Sequence, residues 1–119
     1  MTSHERKLIR AVTTINPKIH GLRSGASKWA CDVVFFKGDK FVAIEQKATH
    51  NDHYTIRRKE QSIKMRRMAN EGTKVFYVIY FINRKPVWQV FPILSYCQFP
   101  QTLKHGEGTT LKTITKYLE

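Results

Sequence analysis

The longest apolar stretch of the chain, residues 74–82 (KVFYVIYFI), places the strongest constraint on its fold. Side chains alternate between the two sides of a β-strand, and here both sides are almost entirely apolar. Such a strand is typical of the centre of a sheet that is covered on both faces. With 119 residues, the chain can build one layered core but has little room for a second domain. We therefore predict a single domain, residues 1–119, with a central sheet.

Periodicity and turn chemistry predict the elements around this strand. Leu8, Ala11, Val12 and Ile15 recur at helical spacing, and Gly38-Asp39 is typical of a hairpin turn. The polar stretch HNDHYT reads as a loop. We predict helices over residues 3–15, 58–71 and 110–119, and strands over residues 18–22, 32–36, 41–49 and 87–93. This order indicates an α/β fold with a central mixed β-sheet flanked by helices.

The charge of the chain indicates the class of its partner. Twenty-one Lys and Arg residues against nine Asp and Glu give a formal net charge of +12. A small domain usually tolerates such self-repulsion because it binds a polyanion. A membrane surface would also attract this charge, but we find no long apolar run and no secretory signal. We expect a soluble protein of the cytoplasm, of the host cell if it is encoded by a virus, with no membrane partner.

The predicted hairpin carries charges where it is otherwise apolar. Alternation places Phe41, Ala43, Glu45 and Lys47 on one face of the second strand, and Asp32 begins the neighbouring strand. One interpretation is an ordinary surface ion pair at a strand end, with Asp32 as a turn residue. The other is a metal site. Because Glu45 continues an apolar stripe and a second carboxylate is close by, we favour the metal site.

This arrangement suits phosphodiester hydrolysis with a divalent metal. Asp32 and Glu45 would supply hard oxygen ligands for Mg²⁺, which keeps its other positions for water and a phosphate oxygen. The backbone carbonyl of Gln46 could complete the metal shell while its side chain points away. Lys47 would stand beside the metal and orient, or help to deprotonate, the attacking water.

Two further residues have open interpretations. Glu5 could face the site from the first helical turn, but a capping box with Thr2 explains it equally well. Gln61 could reach Lys47 or its water, although a structural hydrogen-bond partner is the commoner case.

The basic residues around the second helix could be a solvated face, but few acids balance them, so we favour phosphate contacts. These residues are Arg57, Arg58, Lys59, Lys64, Arg66 and Arg67. Trp29 could stack on an exposed base or shield its own loop. Cys31 and Cys97 lack the spacing of a zinc or redox motif and read as reduced packing residues. The histidines show no metal-ligand spacing apart from a weak His50-x-x-His53 pair.

The combination of Asp32 with Glu45-Gln46-Lys47 resembles the PD-(D/E)xK nuclease superfamily. More specifically, the chain resembles the archaeal-type Holliday junction resolvases from its first helix to about Ile93. The matching features are Glu5, the Ser24-Gly25 loop, Asp32, the run from Ile44 to Lys47, an Arg57-Arg58-x-x-Gln61 helix start and the run from Phe91 to Ile93. Cys31 departs from the pattern, since the superfamily usually has proline there. Residues 3–93 would form the nuclease core, while residues 94–119 match nothing in the family and their role is open.

The resemblance implies a restriction-endonuclease-like fold, a homodimer and Mg²⁺-dependent paired nicking of four-way DNA junctions. We expect Mn²⁺ to support activity as well. The resemblance also implies that Glu5 belongs to the site, with a water molecule between Glu5 and the metal. It implies as well that Ser24 lies in a loop that closes on the junction. The predicted catalytic residues are Glu5, Asp32, Glu45 and Lys47, supported by Ser24 and Gln61. The predicted DNA contacts are Arg23, Ser24, Lys28, Arg57, Arg58, Lys64, Arg66 and Arg67.

Two other functions fit the same residues. A small restriction-type or repair nuclease acting on linear duplex would need base-edge contacts, for which Arg23 and Trp29 are candidates. A non-catalytic nucleic-acid-binding module would keep the charge and show salt-sensitive binding without cutting.

Overall fold

The computed structural model describes residues 3–23, 31–93 and 99–119, and these residues form three helices and seven strands. In chain order the elements are α1 Ser3–Ile15, β1 His20–Arg23, β2 Val33–Lys37, β3 Lys40–Thr49, β4 His53–Ile56, α2 Glu60–Asn70, β5 Val75–Phe81, β6 Trp88–Pro92, β7 Gln101–Lys104 and α3 Lys112–Tyr117. The predicted strand over residues 74–82 is β5.

Five strands form one mixed sheet in the order β1-β2-β3-β5-β6. Strands β3 and β5 are parallel, and α2 lies on the connection between them, as a parallel pair requires. The other neighbours in this sheet are antiparallel, including the β2–β3 hairpin, in which Lys37 pairs with Lys40. The predicted α/β fold with a central mixed sheet is therefore confirmed.

Each face of the sheet has its own apolar core. On one face, Leu8 and Val12 of α1 and Ile114 of α3 pack with Val42 and Ile44 of β3. On the other face, a cluster that includes Met65 of α2, Tyr77 and Ile79 of β5, and Leu103 of β7 covers Ala43. Side chains of β5 enter both clusters, which explains the unbroken apolar pattern of its sequence.

The prediction of a loop over HNDHYT was wrong, because β4 begins within it. Strand β4 pairs antiparallel with β7, with Tyr54 opposite Leu103, and the two form a separate two-stranded sheet. Ile56 and Leu103 are buried and join the same apolar cluster as Met65. The strand is four residues long and its partner lies far along the chain, so its local sequence gives little strand signal.

The described part of residues 94–119 belongs to this fold. It supplies β7 and α3, and its connecting turn is fixed by the buried side chain of Gln89 on β6. The Gln89 Oε1 accepts hydrogen bonds from the backbone N–H groups of Gly106 at 2.9 Å and Gly108 at 3.2 Å. A Cβ added at Gly108 would lie 2.8 Å from the Gln89 Cβ, so this close approach requires glycine.

Candidate functional site at the end of β3

Strand β3 carries Glu45 into the interior of the protein. Glu45 is 2% exposed and follows the buried Ala43 on the same face of the strand. Its Oε1 lies 3.5 Å from the Nζ of Lys47, whose side chain is 32% exposed. The predicted proximity of these two residues is correct, and the pair is not an ordinary surface ion pair, because its acid is buried.

The environment of Glu45 disfavours its ionised form. Burial raises the pKa of Glu45 from 4.5 to about 7, and the charge of Asp32 also raises it, whereas Lys47 and, more weakly, Lys59 lower it. Its second oxygen, Oε2, is buried and has no hydrogen-bond partner among the described residues. A buried polar atom without a partner is uncommon and often marks a functional group or a missing ion.

Asp32 is held against β3 by two hydrogen bonds. Its backbone N–H donates to the carbonyl of Ile44 at 2.8 Å, and its Oδ2 accepts from the backbone N–H of Gln46 at 2.9 Å. The antiparallel pairing of Val33 with Ile44 continues directly from these bonds. The side chain of Gln46 donates to the carbonyl of Lys47 at 2.8 Å. Asp32 therefore stands at the same end of the hairpin as Glu45.

Helix α1 brings a third carboxylate towards this end of the hairpin. Burial raises the pKa of Glu5, and the charge of Asp32 raises it further, while Arg23 and Lys47 lower it. Glu5 thus shares an electrostatic environment with two of the predicted site residues. The alternative capping box depends on Thr2, which lies outside the described residues.

An open cavity of ≈ 400 Å³ begins at Glu45 and Lys47. Strand β3 forms one wall, while β4 and the start of α2 form the others. Among the described residues, the polar and charged lining comprises Glu45, Lys47, Thr49, Asn51, His53, Tyr54, Thr55, Arg57, Lys59, Gln61 and Ser62. Gln61, predicted as a supporting residue, therefore lies beside the Glu45–Lys47 pair.

The predicted DNA contacts fall into different environments. Arg57 lines the cavity and is exposed, and Arg58, Arg67 and Arg23 are also exposed. Lys64 forms an ion pair with Glu60 at 3.1 Å. The guanidinium of Arg66 lies 3.8 Å from the ring centroid of Phe99, so a DNA contact by Arg66 would compete with this packing. Ser24, Lys28 and Trp29 lie outside the described residues, as does Cys97.

The structure also bears on the interpretations of the cysteines and histidines. Cys31 is buried in the apolar cluster on the α2 face, and burial raises the pKa of its thiol, as suits a packing residue. His53 pairs its Nδ1 with the Oδ1 of Asp52 at 2.9 Å, and no group of three His, Cys, Asp or Glu side chains arranged to hold a metal occurs within residues 3–23, 31–93 and 99–119.

The carboxylates nevertheless fit a magnesium ion, which proteins commonly hold with one or two carboxylates while water and substrate phosphate fill the remaining positions. Asp32 and Glu45 are electrostatically coupled, and the buried Oε2 of Glu45 lacks a partner. Within the described residues, Glu5 does not form a group of three potential metal ligands with Asp32 and Glu45. This is compatible with the prediction that a water molecule separates Glu5 from the metal.

Sequence reasoning missed part of the cavity wall. Periodicity did not single out Ser62, which is buried on α2 and hydrogen-bonds Tyr77 of β5. A small hydroxyl fits between a helix and a sheet, whereas Gln61 lies half-buried at the cavity. The role of β4 as a wall had no signal in the sequence beyond the single buried Ile56.

Within the described parts of the chain, no helix has the length and apolar character needed to cross a bilayer.

Comparison with known proteins gives a match at the level of structure. No protein-family model matches the chain, and no curated protein does so. Among solved structures, Archaeoglobus fulgidus Hjc, a Holliday junction resolvase from an archaeal hyperthermophile, matches with a TM-score of 0.73 at 19% sequence identity. The match covers 99% of this chain and 100% of that chain. The resemblance predicted from the sequence is therefore confirmed for the fold: this chain has the fold of an archaeal Holliday junction resolvase.

Proposed function

We propose that the chain is a Mg²⁺-dependent, structure-selective endodeoxyribonuclease that acts inside the cell. Its substrate would be a four-way DNA junction, which it resolves by paired symmetric nicks as a homodimer. Each protomer would contribute one site of the kind described at the end of β3, so that two strands of the junction are cut.

The observation that carries this proposal is the buried carboxylate of Glu45. A carboxylate in the interior is costly to ionise, and an ordinary folding requirement would be met better by an apolar side chain. Here the acid lies 3.5 Å from the Lys47 ammonium and has one buried oxygen without a described partner. A divalent cation held by Glu45 and Asp32 would compensate both charges.

The chain's own residues would divide the work of hydrolysis. Asp32 and Glu45 would hold the ion, and the hydrogen bond from the Gln46 N–H to Asp32 fixes one carboxylate relative to the other. When bound, Mg²⁺ would supply Lewis-acid stabilisation of charge on the phosphate and lower the pKa of a coordinated water. Lys47, at the mouth of the cavity, would orient the attacking water towards phosphorus.

Charge and size support branched DNA as the substrate. The chain has a formal net charge of +12, and Arg57, Arg58 and Arg67 are exposed near the cavity or along α2. Phosphate contacts position a protein on DNA but read no sequence. Because a domain this small has little room for a separate base-reading module, we expect selectivity to come from the shape of the junction.

The test compares an immobile four-way junction, labelled on each strand in turn, with a linear duplex of the same sequence. Purified protein is incubated with each substrate in Mg²⁺ and in chelator. Paired nicks in opposite arms, seen with Mg²⁺ and on the junction alone, would support the proposal. Cutting of the linear duplex would favour the restriction or repair nuclease. Salt-sensitive retention of both substrates without cutting would favour a binding module.

A further inference from the structure

Lys59 occupies a distinct place at the cavity. It is the N-cap residue of α2, with an extended backbone (φ −127, ψ 163), and it follows the connection that leaves β4. Its side chain makes no capping hydrogen bond to the helix. Lys59 lines the same cavity as Glu45 and Lys47. Its side chain therefore lies at the cavity without a capping role in the helix.

Several other cations of this chain have partners. Lys64 pairs with Glu60 at 3.1 Å, Lys40 donates to the backbone carbonyl of Glu119 at 2.7 Å, and Arg66 packs on Phe99. Within residues 3–23, 31–93 and 99–119, the Lys59 ammonium has no ion pair and no hydrogen bond. The nearest acid along the chain, Glu60, is the one that pairs with Lys64. Lys59 thus remains available to an anion from outside the protein.

The charges of the cavity favour such an anion. Among the described residues, its lining contains one carboxylate, that of Glu45, against the cations Lys47, Arg57 and Lys59. Lys47 lies 3.5 Å from Glu45 and forms an ion pair with it, whereas Lys59 forms no ion pair within the described residues. Lys59 therefore lines the same cavity as Glu45 and is not paired with it.

We propose that Lys59 binds a phosphate group of the DNA strand that is cut, inside the cavity beside the Glu45–Lys47 pair. The proposal rests on the proposed nuclease function for its statement about cutting, but its binding part does not. The competing explanation is a solvated lysine at a helix end. That explanation predicts no effect of Lys59 on either binding or cleavage.

The test uses the full chain with Lys59→Ala and Lys59→Arg, and Lys116→Ala as the matched control. Lys116 is an exposed lysine near the end of α3, a helix on the opposite face of the sheet. Because Lys59 makes no capping bond, its removal should leave the helix intact, which circular dichroism checks. The first readout is the salt dependence of junction binding in chelator. The second is the single-turnover rate of junction cleavage in Mg²⁺.

For Lys59→Ala we expect the slope of log K against log salt to become shallower by about 0.9, the value for one phosphate contact. We expect the cleavage rate to fall roughly 10²-fold, because losing one preorganised contact to a reacting group commonly costs at least this much. Lys59→Arg should restore most of both, and Lys116→Ala should match the wild type.

An unchanged slope would overturn the proposal, whatever the rate does, because Lys59 would then bind no phosphate. A shallower slope with an unchanged rate would also overturn it, since the phosphate would lie away from the cut. Failure of the nuclease function gives a different pattern: the wild type binds the junction but does not cut it. In that case a shallower slope for Lys59→Ala would still establish Lys59 as a phosphate contact.

Discussion

Phe41 and Glu45 lie four residues apart on the same face of β3, and their burial is the reverse of what transfer free energies favour. Phe41 is 50% exposed, whereas Glu45 is 2% exposed. Water should attract the carboxylate and exclude the aromatic ring. The sequence predicted one apolar stripe through Phe41 and Ala43 to Glu45, but the stripe is buried from Ala43 onward and open at Phe41.

The two ends of the β2–β3 hairpin therefore differ in what they do. At the turn end, Lys37 and Lys40 pair next to an exposed glycine turn, and nothing charged is buried. At the other end, Asp32 and Glu45 converge although burial and the charge of Asp32 raise the pKa of Glu45. Folding alone accounts for the first end. The second costs stability, and the proposed function attributes it to a bound cation and a reaction, which the following substitutions test.

The largest expected difference between the two ends is in how much the cleavage rate falls when the aspartate at each end is replaced. Asp32→Asn removes a proposed metal ligand, so cleavage of a four-way junction in Mg²⁺ should fall roughly 10³-fold, since a catalytic metal contributes several kcal/mol. Junction affinity in a gel-shift titration should stay within a few fold of the wild type. Asp39→Asn, in the hairpin turn, makes the same chemical change and should leave both quantities unaltered. Equal losses for the two variants would break the comparison.

The lysines at the two ends give the next largest difference. Lys47→Ala should reduce the single-turnover cleavage rate roughly 10²-fold, as expected for a group that positions a proton-transfer partner. Its effect on junction affinity should be much smaller. Lys40→Ala, at the turn end, serves as the control for lost charge. If Lys47→Ala weakened binding as much as it slowed cleavage, Lys47 would be a phosphate contact instead.

The buried carboxylate should make stability depend on pH. The pKa of Glu45 is 4.5 in the unfolded chain and about 7 in the folded chain. Between these two pH values, the unfolded chain has lost a proton that the folded chain keeps. The free energy of unfolding should therefore fall as pH rises through this window, by about 3 kcal/mol in total. Urea denaturation in chelator at several pH values measures this, and Glu45→Gln should remove the Glu45 contribution.

Repeating the urea denaturation with Mg²⁺ tests the metal site directly. Above pH 7, added Mg²⁺ should stabilise the wild type because the ion binds the folded form. It should not stabilise Glu45→Gln, in which a neutral amide replaces the ligand. A protein whose stability did not depend on Mg²⁺ at any pH would contradict the proposed metal site, since the buried charge would then have no counter-ion to gain.

The smallest effect is expected at the exposed aromatic ring. Phe41→Ser should change the free energy of unfolding by less than about 1 kcal/mol, as is usual for surface positions, and leave cleavage unchanged. Phe35→Ala, at a fully buried position of the neighbouring strand, should cost about 3–5 kcal/mol. Similar costs for the two phenylalanines would show that the turn end is covered in solution.

Regular patterns made most of the central sheet predictable from the sequence. Helix α1 has the predicted bounds, and β2, β3, β5 and β6 lie within one residue of theirs at both ends, because the spacing of apolar residues indicates which side chains are buried. Strands β4 and β7 were missed. These two strands pair with each other, for example through Tyr54 and Leu103. Because the partner strand lies far along the chain, the sequence around each strand carries no pattern that predicts it.

The candidate site was predictable in its residues but not in its environment. Alternation along β3 placed Glu45 beside Lys47, and the structure agrees. It could not reveal that Glu45 would be buried with a free Oε2 among the described residues, since that depends on packing from α2 and β4. Alternation also could not predict that Lys64 forms an ion pair with Glu60 whereas Lys59 forms none within the described residues.

The central claim is that Asp32 and Glu45 hold a divalent metal. Titration of the protein with Mn²⁺, followed by electron paramagnetic resonance of the free ion, tests this directly. We predict one saturable site per chain in the wild type, lost or strongly weakened in both Asp32→Asn and Glu45→Gln and retained in Asp39→Asn. Equal Mn²⁺ binding by all four proteins would contradict the account and leave the buried carboxylate without a catalytic role.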